Sequence, residues 1–175
     1  KSGLDTNSIE FSELKSFIEP LWSDISKRLG FGSTKDPSKF DEKDLHQAIQ
    51  NHLKKQSVPG HGKLWSDVKL ATSTDTGLET DVTGKQTISG SEYVFEAKLD
   101  NFTPQDVNQL AGYLVAKGID NGVAVCLGKA SDNAKKQLDH WKAKVPTLNV
   151  EFWDNKHSSH TSIKAELENV IKAKK

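Results

Sequence analysis

The sequence predicts an α/β fold in which helices flank a central sheet. Two observations lead to this prediction. Apolar residues recur with a period of about 3.6 in the longer segments, whereas they alternate or run continuously in the shorter segments between them. Helical and strand-like segments thus follow one another along the chain, which is typical of helices packed on both faces of a sheet. The chain has 175 residues, enough for one well-buried core.

Two helices are predicted before the first strand. Apolar residues at helical spacing over residues 8–29 predict the first helix, with Pro20 as a kink, and residues 1–33 as a whole form an N-terminal helical extension. A second helix is expected from about residue 41 to residue 55, capped by Ser38 or Asp41. Its apolar side consists of Phe40, Leu45, Ile49 and Leu53.

Alternation with a period of two predicts strands in the middle of the chain. Residues 64–70 form a short strand, and residues 71–77 form a polar turn. Residues 78–83 and 88–99 are expected to pair, with Gly84 and Gly90 near their connection. In the second strand of this pair, alternate residues share a face: Val94, Glu96 and Lys98 on one side, and Tyr93, Phe95, Ala97 and Leu99 on the other.

The second half of the chain alternates between helices and strands. Thr103 is a predicted cap, and Pro104 stands at the first position of a helix that ends near Gly118. This helix is expected to direct four apolar side chains towards the sheet: Val107, Leu110, Leu114 and Val115. The remaining predicted elements are a buried strand over 122–127, a helix over 131–144, a strand over 148–153 and a helix over 158–174 whose cap lies within 158–162. We expect a single domain over 1–175, with a core over 38–156 and a C-terminal helix over 158–175.

Composition restricts the class of protein. The chain has 24 basic and 24 acidic residues, so no net positive charge indicates nucleic-acid binding, and Arg28 is its one arginine. No apolar run approaches the roughly 20 residues that cross a bilayer. The single cysteine, Cys126, excludes an internal disulfide and a multi-cysteine zinc site, and we interpret it as a core residue. Because methionine is absent, we expect the chain to be excised from a longer protein or trimmed at its end.

An acidic residue two positions before a lysine is the candidate catalytic pattern. About three such pairs are expected by chance, and the chain has five, so the spacing alone is not informative. Glu96 and Lys98 differ from the others in their context, because a strand that carries Asp81 precedes them and a capped helix that carries Gln109 follows. Carboxylates on adjacent strands can hold a divalent ion that activates water against a phosphodiester. Asp67 and Lys69 form the one serious rival pair.

The order of these segments resembles the PD-(D/E)xK nuclease superfamily. The resemblance rests on residues 79–81 (Glu-Thr-Asp), residues 94–98 (Val-Phe-Glu-Ala-Lys) and residues 106–114, and it covers roughly residues 40–128. No proline precedes Asp81, although that position varies within the superfamily. The resemblance implies a restriction-endonuclease-like mixed central sheet flanked by helices.

The resemblance also implies roles for individual residues. Asp81, Glu96 and the carbonyl of Ala97 would hold one or two divalent ions, and hard oxygen ligands suit Mg²⁺ or Mn²⁺. Lys98 would orient the attacking water, help to deprotonate it and stabilise charge on the phosphate. Gln109 would reach back towards the catalytic lysine or the substrate backbone.

Several further residues have two interpretations. Glu79 is either a carboxylate of the site or a solvated charge at the end of a strand. Within the site it would be a metal ligand itself or would contact a residue that is one. Glu42, on the helix that also carries His46, is either aimed at the metal or exposed. Tyr113 either lines the cleft or packs in the core. The six histidines form no metal-ligand pair on one element, which favours structural or surface roles for them.

The leading functional hypothesis is a metal-dependent endonuclease that acts on DNA or tRNA. Its parent protein would be a restriction-type enzyme or a bacterial contact-dependent toxin, which would act in the cytoplasm of a target cell and have a cognate immunity protein as its partner. The near absence of arginine favours backbone recognition or recognition of a folded RNA by shape. The alternatives are a nuclease-fold module that binds nucleic acid or protein without cutting it, and an unrelated α/β domain with solvated charges.

Overall fold

A computed structural model describes residues 40–70 and 80–174 of the chain. The predicted helix over 8–29, the loop that follows it and the turn over 71–77 lie outside these ranges, as do Leu78 and Glu79. The chain divides into two compact units, Lys1–Lys39 and Phe40–Lys175, and the second unit contains the sheet. Within the described ranges, no helix combines the length and the apolar character that a membrane span requires.

The second unit is built on a five-stranded mixed sheet. Its strands are β3 Trp65–Leu70, β4 Val82–Gln86, β5 Glu92–Lys98, β6 Asn121–Cys126 and β7 Asn149–Trp153, and they lie side by side in this order. Strands β3, β4 and β5 pair antiparallel, whereas β5, β6 and β7 pair parallel. A separate two-stranded ladder joins β1, Ser57–Val58, to β2, Gly62–Lys63. The predicted mixed α/β architecture is thus confirmed.

Helices occupy both faces of the sheet. Their bounds are α1 Glu42–Lys55, α2 Pro104–Lys117, α3 Asp132–Lys144 and α4 Ser158–Lys172. Helix α1 begins with a capping box formed by Asp41 and Asp44, and α2 begins with one formed by Thr103 and Asp106. Each box satisfies backbone N–H groups that have no partner within the helix. Gly118 ends α2 in the left-handed region at a φ of 66°, where glycine is favoured.

The core has two layers because alternate residues of β5 face opposite sides. Val94 packs with apolar side chains of α2 and α3, whereas Phe95 and Ala97 pack with those of α1 and α4. Phe95 is fully buried and lies between the rings of Trp65 and Trp153. The predicted strand parity is therefore correct, and it turns Glu96 and Lys98 towards α2.

Five local predictions were wrong. Strand β4 runs to Gln86 and includes Gly84, because the ladder with β5 continues past it and pairs Gly84 with Tyr93 and Lys85 with Glu92. Ile88 lies in the turn before β5 and is exposed, since the chain reverses through Gly90 at a φ of 71°. Val115 is 47% exposed, as Ala111 and Leu114 take the inward positions of α2. Phe40 precedes the cap of α1 and is also exposed. The cap of α4 is His157, one residue before the segment 158–162 that was predicted to contain it.

Candidate functional site

Asp81 lies immediately before β4, next to the end of β5. Val82 pairs with Phe95 in the antiparallel ladder, which brings Asp81 beside the last residues of β5. Its Oδ2 accepts a hydrogen bond from the backbone N–H of Ala97 at 2.6 Å. A carboxylate that accepts a backbone N–H is fixed in orientation. The other oxygen of Asp81, Oδ1, lies 3.2 Å from Nε2 of His46 on α1.

Glu96 and Lys98 form an ion pair on the face of β5 that meets α2. The two side chains are two positions apart and therefore point the same way, with Lys98 Nζ 3.1 Å from Glu96 Oε1. Asp106, in the first turn of α2, places its Oδ1 3.8 Å from the same ammonium. The second oxygen of Asp106 accepts from the backbone and the hydroxyl of Thr103. The capping box thus also positions a carboxylate next to Lys98.

Negative charge exceeds positive charge around this lysine. Burial and, after it, the nearby charge of Asp81 raise the pKa of Glu96 to about 7, although the charge and the hydrogen bond of Lys98 act to lower it. Burial opposes the charge of Lys98, but Glu96, Asp106 and Asp81 together raise the pKa of the ammonium. One ammonium therefore faces three carboxylates, and Glu96 is 3% exposed. A bound cation would offset this excess of negative charge.

The donor atoms fit a hard divalent cation that keeps much of its own solvation. Asp81 and Glu96 supply carboxylate oxygens, and Mg²⁺ is commonly held by one or two carboxylates together with water and substrate phosphate. Across residues 40–70 and 80–174, no three His, Cys, Asp or Glu side chains converge as a complete ligand set. Such an ion would therefore take its other ligands from water, phosphate or a backbone carbonyl.

The structure separates the predicted site residues into two groups. Asp81, Glu96, the backbone of Ala97 and Lys98 lie together at one end of β5. Glu42 and Gln109 are exposed and make no hydrogen bond or ion pair with the described residues, and Tyr113 is buried in the core on the α2 side of the sheet. Glu79 lies outside the described residues.

His46 and Asp106 are residues of the site that sequence reasoning did not identify. His46 lies four positions after Glu42, one helical turn along α1, and it contacts Asp81. Asp106 lies three positions before Gln109 on α2, and it contacts Lys98. The only sequence signal for Asp106 was its place as the third residue of a capping box. For His46 the signal was comparably weak, namely its place one helical turn after Glu42 on α1.

Comparisons with known proteins do not identify a family. No family model matches the chain, and no curated protein matches it. Among solved structures, a protein titled "Crystal Structure of Protein of Unknown Function AF1548" is similar, at 13% sequence identity and a TM-score of 0.48. The similarity covers 72% of this chain and 67% of that one.

Proposed function

We propose that this chain is a metal-dependent endonuclease that hydrolyses phosphodiester bonds of nucleic acid. The observation that carries the proposal is the buried carboxylate of Glu96, which shares one strand end with Asp81 and lies 3.1 Å from Lys98. Burying like charges together is unfavourable unless a cation or a proton compensates them. The arrangement is therefore better suited to binding a cation and a phosphate than to stabilising the fold.

The residues have separate roles in this proposal. Asp81, fixed by the Ala97 N–H, and Glu96 bind a divalent ion, Mg²⁺ or Mn²⁺, with the Ala97 carbonyl as a further ligand. When bound, such an ion supplies a water of lowered pKa and neutralises charge on the phosphate. Lys98, half-buried between Glu96 and Asp106, donates hydrogen bonds to the water or to the phosphate oxygen.

The open part of the sheet offers a surface for the polymer. Thr83 pairs with Val94, so the side chains of Thr83 and Lys85 lie on the face of the sheet that carries Glu96 and Lys98. A cavity on this part of the sheet is lined by two lysines, Lys69 and Lys85, and also by the carboxylates of Asp67 and Glu92. Lysines bind phosphates as point charges without reading base sequence, which favours backbone recognition of DNA or of folded RNA.

The parent protein remains part of the proposal. A PD-(D/E)xK nuclease domain of this size fits the catalytic part of either a restriction-type enzyme or a bacterial toxin that acts in the cytoplasm of a target cell. A toxin would require a cognate immunity protein that blocks the site. Neither role changes the chemistry proposed for Asp81, Glu96 and Lys98.

A cleavage assay tests the proposal. Plasmid DNA and total tRNA are incubated separately with the protein in Mg²⁺, in Mn²⁺ and in chelator, and fragments are resolved by electrophoresis. We expect at least one polymer to be cut with either metal and neither to be cut in chelator. Asp81→Asn should abolish cleavage, whereas Asp139→Asn should not, because Asp139 is exposed on α3.

Three outcomes would contradict the proposal. Cleavage that persists in chelator, or that Asp81→Asn leaves unchanged, would show that the reaction does not use this site. Metal binding without cleavage of either polymer would favour the alternative of a nuclease-fold module that binds nucleic acid or a protein without cutting it. A gel-shift experiment with the same two polymers would then test nucleic-acid binding directly.

A further inference from the structure

His46 is aimed at Asp81 without forming a hydrogen bond. Its Nε2 atom is buried and has no hydrogen-bond partner among residues 40–70 and 80–174, although Asp81 Oδ1 lies 3.2 Å away. A buried ring nitrogen that lacks a partner is costly, because the desolvation of the polar atom is not compensated. The described residues therefore leave this nitrogen without the partner that its burial calls for.

The distance between the two atoms is the one expected for two ligands of a common metal ion. Bonds of about 2.1 Å that meet at about 90–110° separate the donor atoms by about 3.0–3.4 Å. The observed 3.2 Å falls within this range. A hydrogen bond would require an N–H directed at the oxygen, whereas a shared cation requires only that both lone pairs point towards one position.

Both donors are held in place by the fold. Asp81 is fixed through its other oxygen, which accepts from the Ala97 N–H at 2.6 Å. His46 is carried by α1, whose neighbouring residues Leu45 and Ile49 are fully buried against the sheet. Glu96, by contrast, is engaged by Lys98. The pair already arranged to bind an ion is thus His46 with Asp81, and Glu96 contributes its charge nearby.

We infer that His46 is a nitrogen ligand of the cation at this site and that it makes the site select Mn²⁺ over Mg²⁺. Imidazole nitrogen binds transition ions well, whereas Mg²⁺ prefers oxygen ligands. The inference rests on the proposed function, since it concerns the same cation. It adds a nitrogen ligand from α1 beside the Asp81 oxygen, while Glu96 contributes its charge nearby, and it adds a preference between two ions that oxygen ligands alone would hold in similar ways.

Pulsed electron paramagnetic resonance and calorimetry test this role without using activity. The protein is loaded with Mn²⁺, and we expect hyperfine coupling to a directly bound ¹⁴N that is absent in His46→Gln. Calorimetry should show that Mn²⁺ binds at least about tenfold more tightly than Mg²⁺, and that His46→Gln reduces this ratio to about threefold or less. His140→Gln is the matched control, because His140 is exposed on α3 and should leave both results unchanged.

The outcomes separate this inference from the proposed function. Bound Mn²⁺ without nitrogen coupling, or a ratio of affinities that His46→Gln leaves unchanged, would overturn the role of His46. Metal-dependent cleavage that requires Asp81 would then still support the nuclease. Nitrogen coupling in a protein that cuts neither DNA nor tRNA would support the ligand role of His46 and contradict the nuclease. Circular dichroism of each variant establishes that its fold is intact before binding is compared.

Discussion

Replacing Glu96 by glutamine should stabilise the metal-free protein at alkaline pH. The ionised carboxylate of Glu96 is buried beside Asp81, and its pKa in the folded protein is raised from the usual 4.5 to about 7. Protonated Glu96 avoids repulsion by the charge of Asp81. The favourable contribution of Glu96 to the free energy of unfolding is therefore complete below about pH 4.5 and is lost as the pH rises through about 7. Glutamine has a similar shape and stays neutral throughout.

The size of the effect follows from the change in pKa. At about 1.36 kcal/mol for each pH unit, the difference between 4.5 and about 7 corresponds to about 3 kcal/mol above pH 7. The amide of the variant must still find hydrogen-bond partners in a buried place, which reduces the gain to about 1–3 kcal/mol. Lys98 keeps Asp106 as a partner at 3.8 Å in the variant, so its ammonium is not left alone.

Urea unfolding in chelator measures this prediction. The free energy of unfolding of Glu96→Gln should exceed that of the wild type at about pH 8, and the difference should vanish at about pH 4.5. Glu92→Gln is the control, because Glu92 is exposed at the start of the same strand and should change stability by less than about 0.5 kcal/mol. A variant that is less stable at about pH 8, or a difference that does not depend on pH, would refute the reasoning.

Three further predictions concern the fold around the site. Phe95→Ala should lower the free energy of unfolding by about 3–5 kcal/mol in urea titrations, since the ring is fully buried between two tryptophans. A loss of stability below about 1 kcal/mol would contradict that packing. Cys126 is buried, and burial raises the pKa of its thiol to about 11, so a disulfide reagent should modify it far more slowly in the native protein than in urea. Equal rates of modification would show that the thiol is accessible in the native protein. Burial opposes the charge of Asp44, yet its hydrogen bond from Lys174 lowers the pKa of the carboxyl. Asp44→Ala should therefore lower the free energy of unfolding by about 1–2 kcal/mol at neutral pH and by less at acidic pH. A loss of stability that grows as the pH falls would be inconsistent with an ionised Asp44 in the capping box.

The elements that the sequence predicted well are those determined by local patterns. Thr103, Pro104 and Gly118 mark the two ends of α2, and the structure places its cap, first residue and C-cap at these positions. Alternation along β5 predicted which side chains share a face, and Glu96 and Lys98 do face α2 together. Such signals depend on residues a few positions apart, so they can be read without knowledge of the tertiary structure.

Which residues of α1 and α2 contact Asp81 and Lys98 could not be predicted from local patterns. It depends on which side of each helix faces the sheet and on packing between distant segments. Glu42 and Gln109 were the expected polar contributions of α1 and α2, whereas His46 and Asp106 are the residues that contact Asp81 and Lys98. Each differs from the expected residue by about one helical turn. Which turn of a helix meets the sheet is set by the packing of buried residues such as Leu45 and Leu110, and that packing joins segments far apart in the sequence.

The most direct test of the central claim is the initial rate of cleavage by Lys98→Met, compared with the wild type, at saturating Mn²⁺ on whichever polymer is cut. Methionine keeps the length of the side chain and removes the ammonium that lies between Glu96 and Asp106. We expect the rate to fall by about 100-fold or more, while Lys164→Met, an exposed lysine of α4, cuts at the wild-type rate. Equal rates for Lys98→Met and the wild type would contradict a phosphodiester-cleaving site at Asp81, Glu96 and Lys98.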